Sequence, residues 1–327
     1  MSAVQSPHLV VPFSSCSGEA WLQALKALPS GKQGSLKNLS RLLQGMKQLE
    51  SLTIQALSLS TPPERVVAKA LGLPGFATMP DGLIPWAALQ ASQTPGLQAQ
   101  HGQAWGLITP CHWAMGREHA TLTDPAALGL SEADSQTLLA AMQPYFETEG
   151  IVLHFAAVDR WLAAGEVFRL LPTASLDRVM GRNVDPWLPG SKALKLLQNE
   201  MQMLLYTHPL NDERGMKRLQ TVNSFWLSGT GALAQAPATP LPDIRINRSL
   251  AQAAFTADWA AHAQAWTALD IGDIAALLTR QAAGETVRLS LCSESKALTF
   301  ETSAPSLLSK TRNFFKPSSA MDVLKQL

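Results

Sequence analysis

A segment in which a helical pattern passes directly into a strand pattern does most to constrain the fold of this 327-residue chain. Residues 191–207 are predicted to form a helix, because leucine and methionine recur at helical spacing. Residues 221–228 are predicted to form a strand, and Gly229 and Gly231 follow it. Strand and helix patterns alternate along much of the chain. That alternation is typical of the α/β class, in which helices cover the faces of a sheet.

The composition excludes several classes of protein. Apolar residues make up 46% of the chain and charged residues 16%, which favours a large core and argues against global disorder. The net charge of +1 provides no overall field for nucleic acid or an anionic membrane, although the basic tail (Lys310, Arg312, Lys316) leaves a local patch open. The sequence has neither an apolar run of about 18 residues nor a signal segment. It therefore predicts a cytoplasmic protein without a membrane partner.

The three cysteines predict neither a disulfide framework nor a metal site. Cys16, Cys111 and Cys292 are far apart, and we expect buried free thiols in a reducing compartment. Closely spaced His, Cys or carboxylate ligands, such as HExxH or CxxC, do not occur. The glycines of residues 229–231 match part of a dinucleotide-binding pattern, but prolines follow instead of a helix. The sequence therefore predicts no metal, no cofactor and no catalytic residue.

The remaining patterns place elements on both sides of this segment. Helices are predicted at 19–28, 35–49, 61–72, 131–149, 258–269 and 273–282, with a short one within the loop 74–100. Strands are predicted at 9–13, 104–109, 151–156, 160–164, 286–292 and 298–301. Residues 121–124 are either the hairpin partner of strand 104–109 or a short separate strand. A proline-rich linker is predicted at 234–242, and a loosely held tail after Thr302.

Polar residues cluster in three places that are candidates for ligand binding. His112 directly follows a strand, which is where α/β proteins place groups that contact ligands. The loop 174–185 contains two arginines whose guanidinium groups suit phosphate or carboxylate, unless its aspartates neutralise them in a structural network. The residues around the end of helix 191–207 either cap that helix or bind a ligand. The candidates are His112, Asp177, Arg178, Arg182, Asn183, Asp185, His208, Asn211, Arg214 and Asn223.

These residues carry a resemblance to a known family. The segment with His208, Pro209, Asn211, Arg214, Asn223, Gly229 and Gly231 resembles a motif of the archaeal-type cofactor-independent phosphoglycerate mutases, as do Asp177-Arg178, Gly181-Arg182 and Asp185-Pro186. The resemblance implies a reduced alkaline-phosphatase-like α/β core made from both chain ends, with an inserted α/β domain. The implied domains are 1–103 and 236–327 for the core, including the tail, and 104–235 for the insertion.

The metal ligands of that family are not matched. The resemblance implies that strand 9–13 should be followed by a metal-binding aspartate, but Ser14 stands there. It also implies an Asp-His pair after strand 286–292, where the sequence has Cys292 and Ser293. A two-metal phosphoryl site depends on many carboxylate and imidazole ligands. The replacement of these residues removes most of the charge that would bind the metals.

The complete chain is also similar to the bacterial RpfE-type regulatory proteins, which are often labelled phosphoglycerate mutases. The similarity lies in the segments Trp105–Trp113, Leu122–Pro125 and Val222–Gly229. It implies a non-catalytic regulatory or scaffolding protein that binds an unknown protein partner or a small anionic ligand. The alternative is a metal-dependent phosphoglycerate mutase or phosphatase-like enzyme with displaced ligands.

Overall fold

The computed structural model describes residues 6–28, 36–97, 102–235, 240–303 and 319–327. The strands are β1 (His8–Val11), β2 (Met46–Thr53), β3 (Ala104–Cys111), β4 (Trp113–Met115), β5 (Ala120–Leu122), β6 (Val152–Ala157), β7 (Arg160–Ala164), β8 (Ser224–Ala232), β9 (Ile244–Ile246), β10 (Arg288–Cys292) and β11 (Lys296–Thr302). The helices are α1 (Ala20–Ala27), α2 (Lys37–Gln44), α3 (Pro62–Ala70), α4 (Trp86–Gln93), α5 (Glu132–Thr148), α6 (Leu176–Val179), α7 (Lys192–Tyr206), α8 (Pro209–Met216), α9 (Ala251–Phe255), α10 (Trp259–Leu269), α11 (Ala275–Ala282) and α12 (Ala320–Leu324).

The chain forms two compact units. The first comprises Met1–Ala56, Thr61–Leu71 and Thr239–Leu327, and the second comprises Leu57–Ser60 and Gly72–Ala238. The predicted domain boundaries at residues 104 and 235 stay a prediction, because compactness concerns contacts whereas a domain is defined by independent folding.

Both ends of the chain contribute to the sheet of the first unit, whose strand order is β2-β11-β10-β1-β9. β1 pairs in parallel with β10 and with β9, while β11 runs antiparallel to β10 and β2. One face of the central strands carries Leu9, Val11, Leu289 and Leu291, which join the main core of this unit. All residues of β1 and all but Arg288 of β10 are buried, as expected of strands whose two faces are both covered. The α/β class is thus confirmed.

An antiparallel sheet forms the centre of the second unit, in the order β6-β7-β3-β8. α5 and α7 pack against it through a core that includes Phe146, Trp161 and Leu197. Gly229 and Gly231 lie on β8 with φ angles of +60° and +137°, close to the start of α4. A Cβ atom at Gly229 would lie 3.0 Å from the Cβ of Trp86. These glycines therefore serve a close approach of backbone segments.

Local signals in the sequence account for several helix ends. Thr61 and Glu64 form the capping box that begins α3. Ser131 caps α5 by accepting a hydrogen bond from the main chain of Asp134 at 3.1 Å. After α5, Gly150 adopts a φ of +70°, as expected of a glycine at the C′ position. Among the described helices, none is both long and apolar enough to cross a bilayer.

The structure corrects the predicted secondary structure at two places and decides between two alternatives at a third. The helix predicted at 35–49 ends at Gln44, and after Gly45 the chain enters β2, because residues 46–53 complete the open edge of β11. Residues 209–216, for which no element was predicted, form α8. Of the two alternatives for residues 121–124, the short separate strand is confirmed, because β5 pairs with β4 and not with β3.

The prediction of a loosely held tail is wrong for α12. Ala320, Val323 and Leu324 of this helix are buried in the core of the first unit. Lys310, Arg312 and Lys316 lie outside the described residues.

Candidate functional site

The parallel strands β1 and β10 end side by side in the first unit. The main-chain N–H of Ser14 donates to the carbonyl of Cys292 at 2.8 Å. The Ser14 hydroxyl donates to the carbonyl of Val11 at 2.7 Å. Ligands of α/β sheets bind outside the carboxyl ends of the strands. Ser14 and Cys292, which stand where the family resemblance implies metal ligands, are thus neighbours. The hydroxyl of Ser14 is already used in a hydrogen bond within its own turn.

Uncharged groups occupy these strand ends. Cys292 is fully buried, and burial raises the pKa of its thiol well above the usual range. Ser14 is also fully buried, and its carbonyl accepts a hydrogen bond from the indole of Trp266 at 3.2 Å. Among the described residues, no three His, Cys, Asp or Glu side chains come together in a group that could hold a metal ion.

A thiol and an imidazole lie next to these strand ends, in an arrangement that does not activate the thiol. Cys16 Sγ is 3.8 Å from His262 Nε2. That nitrogen lies 2.9 Å from the carbonyl of Phe13, so it carries the proton and donates it there. Burial, and less strongly the charge of Glu294, raises the pKa of Cys16 to about 12. A nucleophilic cysteine needs the opposite shift and a base that can accept its proton.

A cleft of about 270 Å³ opens beside these residues in the first unit, lined by Ser15, Ser17, Trp21, Ser293, Glu294 and Lys325 among others. The C-terminal segment contacts it, since Ser293 Oγ donates to the carbonyl of Leu327 at 3.0 Å. The lysine ammonium of Lys296 donates to the carbonyl of Gln326. The end of this segment is therefore fixed along one side of the cleft.

In the second unit, five half-buried polar residues gather where β3 ends and β8 begins. We call this group the polar corner: His112, Thr123, Gln220, Thr221 and Asn223. His112 Nδ1 lies 2.8 Å from the carbonyl of Thr221 and therefore donates to it. The other ring nitrogen, Nε2, is left to accept a hydrogen bond when the ring is neutral or to donate one when the ring is protonated.

Hydrogen bonds to the main chain fix the shape of the polar corner. The carbonyl of His112 accepts from the N–H and the hydroxyl of Thr123, at 3.0 and 3.1 Å. Asn223 bonds both main-chain groups of Trp113, accepting at 2.7 Å and donating at 3.0 Å. The side chains of the corner are thus held by a rigid frame.

The loop that contains Arg182 lies along the other edge of β5. The N–H of Gly181 donates to the carbonyl of Leu122 at 2.8 Å, and the N–H of Leu122 donates to the carbonyl of Arg182 at 3.3 Å. A bridge also joins Thr121 to Asn183. Arg182 is exposed and Asn183 is half-buried. Because Thr123 follows Leu122 directly, both residues pair with the strand that leads into the polar corner.

The other candidates in this loop have different surroundings. Arg178 is 4% exposed, donates from Nε to the carbonyl of Ser58 at 2.8 Å and lies 5.9 Å from the ring centroid of Trp187. Asp177 is half-buried and Asp185 is exposed. Arg178 and Arg182 have the same predicted role in the sequence, whereas in the structure Arg178 is buried and Arg182 is exposed.

His208, Asn211 and Arg214 lie at the junction of α7 and α8. His208 caps α8 by accepting from the N–H of Leu210 at 3.2 Å. Asn211 donates to the carbonyls of Leu205 and Val222, at 2.8 and 2.7 Å. It also accepts from the N–H of Val222 at 2.9 Å. The amide nitrogen and the amide oxygen of Asn211 thus both join the end of α7 to the segment before β8.

Arg214 is 2% exposed, and its guanidinium forms hydrogen bonds to two separate segments of the chain. Its Nε and one terminal nitrogen donate to the carbonyl of Gln220 at 3.0 and 2.8 Å. It also donates to the carbonyl of Leu128 and lies 3.4 Å from the carboxylate of Asp134. The guanidinium is committed to these partners and does not face solvent.

Thr123, Gln220 and Thr221 were not among the site residues predicted from the sequence. Each is a common polar residue in an irregular segment, and no spacing signals its role. Thr123 is the one with a usable signal, since Leu122–Pro125 belongs to a segment of the family resemblance.

Comparisons with known proteins found structural neighbours only. No protein-family profile matches the sequence, and no curated protein matches it significantly. The chain is similar to a cofactor-independent phosphoglycerate mutase from Thermoplasma acidophilum, with 13% identity, a TM-score of 0.36, and coverage of 99% of this chain and 100% of the other. It is also similar to the PH0037 protein from Pyrococcus horikoshii, with 9% identity, a TM-score of 0.43, and coverage of 92% and 88%.

Proposed function

We propose that this chain is a non-catalytic regulatory or scaffolding protein that resembles a phosphoglycerate mutase without its metal site. It acts by binding a protein or a small anionic ligand. The observation that carries the proposal is the pair of strand ends at Ser14 and Cys292, where a bonded hydroxyl and a buried thiol stand at adjacent positions.

The chemistry of these two groups supports the proposal. Divalent cations of phosphoryl-transfer sites need carboxylate or imidazole ligands that supply negative charge or accessible lone pairs. The raised pKa of Cys292 keeps its thiol neutral near pH 7, and the Ser14 hydroxyl is used by Val11. Neither group offers the charge that would offset the desolvation of a metal ion.

The environment of Cys16 supports the absence of a cysteine nucleophile. Its pKa of about 12 leaves the thiolate scarce at physiological pH, and His262 donates its Nε2 proton to the chain instead of accepting one from the thiol. A thiol in that state is a weak nucleophile. The residues nearest to the cleft therefore favour binding over covalent catalysis.

We assign ligand binding to the polar corner and Arg182. His112 and the exposed residue Arg182 lie on segments that main-chain hydrogen bonds join through β5, and the hydroxyls and amide beside His112 add further hydrogen-bonding groups. A guanidinium pairs with phosphate or carboxylate by two parallel hydrogen bonds. By contrast, Arg178 and Arg214 are buried and hold main-chain carbonyls. A small anion, or an acidic group on a partner protein, fits the exposed set.

Calorimetric titration with inorganic phosphate and with 3-phosphoglycerate tests this assignment. We expect binding that Arg182→Ala weakens at least tenfold and that His112→Ala also weakens. Arg160→Ala and His119→Ala are matched controls, because both residues are exposed in the same unit. Equal binding by all four variants would refute the site.

Turnover of 3-phosphoglycerate to 2-phosphoglycerate in the presence of Mn²⁺ tests the non-catalytic part of the proposal. We expect no activity above that of buffer. Activity that survives purification and disappears in Arg182→Ala would favour the enzyme with displaced ligands.

A further inference from the structure

The outer face of α7 carries a stripe of exposed apolar side chains. Leu196, Met203 and Tyr206 are 54%, 69% and 80% exposed. They are seven and three residues apart, so they lie on one side of the helix, spread over about 15 Å of its length. The opposite side of α7 packs into the core of the second unit through Leu197 and Met201, among others.

Such a stripe is not required by the fold of a single chain. The outer face of an amphipathic helix is normally polar, and single exposed apolar residues need no explanation. A row of large apolar side chains on one helix face instead indicates an interaction surface. Methionine and tyrosine are also among the residues enriched at protein interfaces.

The charges on this face indicate which partner fits it. Lys192 and Lys195 are exposed on the first turns of α7, Glu200 is exposed near its middle, and the last turns carry no basic residue. The C-terminal end of a helix has a partial negative charge. If two copies of α7 pack antiparallel, the lysines of each copy lie beside the negative end of the other.

We propose that α7 mediates a homodimer in which a second copy of this chain packs antiparallel on the same stripe. A twofold axis near Asn199 brings Leu196 of one copy onto Met203 of the other, so that one patch is complementary to itself. It also brings Lys195 close to Tyr206 of the other copy, where the ammonium can lie against the aromatic face.

A single helix pair buries less area than the 1,200–2,000 Å² or so of a stable interface. We therefore expect a dimer with a dissociation constant in the micromolar range, which forms as protein concentration rises.

Sedimentation equilibrium of the full chain at several concentrations tests the dimer. We expect Met203→Glu to raise the dissociation constant at least tenfold, because it places a charge in the centre of the apolar contact. The double variant Lys192→Glu, Lys195→Glu should also weaken association. Acidic residues in the first turns stabilise an isolated helix, so unfolding of α7 would not explain that loss. A chain that stays monomeric at high micromolar concentration would overturn the proposal.

Disulfide trapping tests the orientation. Asn199 is exposed near the proposed axis, so Asn199→Cys should form a covalent dimer under mild oxidation, and added Met203→Glu should suppress it. Gln264→Cys, at an exposed position on α10, is the matched control and should stay monomeric. Cys111 and Cys292 are fully buried, which limits background. Equal cross-linking at positions 199 and 264 would contradict the antiparallel pair. This inference concerns α7 alone and fails or holds independently of the proposed function.

Discussion

Asn223 replaces a strand partner for Trp113: its side-chain oxygen accepts from the Trp113 N–H at 2.7 Å, and its side-chain nitrogen donates to the Trp113 carbonyl at 3.0 Å. The amide therefore satisfies both main-chain groups where β3 gives way to β4. Asn211 likewise accepts from the N–H of Val222 and donates to its carbonyl, just before β8 begins. Two asparagines thus fix the chain on either side of the polar corner.

Replacement of Asn223 by alanine should destabilise the protein. It leaves two main-chain groups of Trp113 without their partners, and a lost pair of this kind costs about 1–3 kcal/mol of unfolding free energy. Urea unfolding followed by tryptophan fluorescence measures the change. Gln264→Ala, on an exposed helix surface, should change stability by less than about 0.5 kcal/mol. Equal stability of the two variants would contradict the role given to Asn223.

Replacement of Arg214 should be far more costly than replacement of Arg169. Arg214 is 2% exposed and ties the segment after α8 to Leu128 and Asp134, whereas Arg169 forms an exposed pair with Glu166. We expect Arg214→Ala to cost about 3–5 kcal/mol and Arg169→Ala about 0–1 kcal/mol. Arg214→Lys should recover little, because an ammonium cannot reproduce the forked geometry of a guanidinium. Thermal unfolding of the three variants checks the order.

Stability should fall as pH decreases from about 6.5 to about 4. Burial, and then the charge of Arg288, lowers the pKa of His8 from 6.5 to about 4, and burial also lowers that of His262. In this range the unfolded chain binds more protons than the folded chain, so protonation favours unfolding. Each histidine contributes a slope of up to about 1.4 kcal/mol per pH unit.

Urea unfolding at several pH values measures that slope. His8→Gln should flatten the curve between pH 4 and 6.5, while Gln264→Ala, at an exposed position on α10, should leave it unchanged. A curve that is independent of His8 would show that its side chain is not buried as the neutral form.

The native thiols should react slowly with a disulfide reagent near pH 8. The pKa of Cys16 is raised to about 12, and Cys111 and Cys292 are fully buried with pKa values raised by burial. Reaction requires the thiolate and access to it. We expect all three thiols to react rapidly only after unfolding in denaturant. One thiol that reacts at once in the native protein would reveal an activated cysteine and argue against a non-catalytic cleft.

The sequence predicts the class of the fold better than its detail, for physical reasons. Strong local signals located α3, α5 and the strands β1 and β10, since capping residues and apolar runs act locally. β2 was missed because its place depends on the open edge of β11, a contact between distant residues. Its side chains are mostly exposed, so no apolar alternation marks it.

The candidate site was predicted by residue type but not by environment. Arg178 and Arg182 are equivalent in the sequence, and only tertiary packing buries one against Trp187 while leaving the other exposed. Thr123 and Thr221 enter the polar corner through hydrogen bonds to the carbonyl and ring of His112. The pairing of Thr221 with His112 joins residues 109 positions apart, and neither pairing leaves a pattern in the sequence.

The metal content of the purified chain tests the central claim most directly. The protein would be equilibrated with Mn²⁺, Mg²⁺ and Zn²⁺, freed of unbound ions and measured by elemental analysis. Because a bonded serine and a buried thiol stand at the ends of β1 and β10, we predict far less than one metal ion per chain. Two tightly held ions per chain would contradict the account and make an active phosphoryl-transfer enzyme the better explanation.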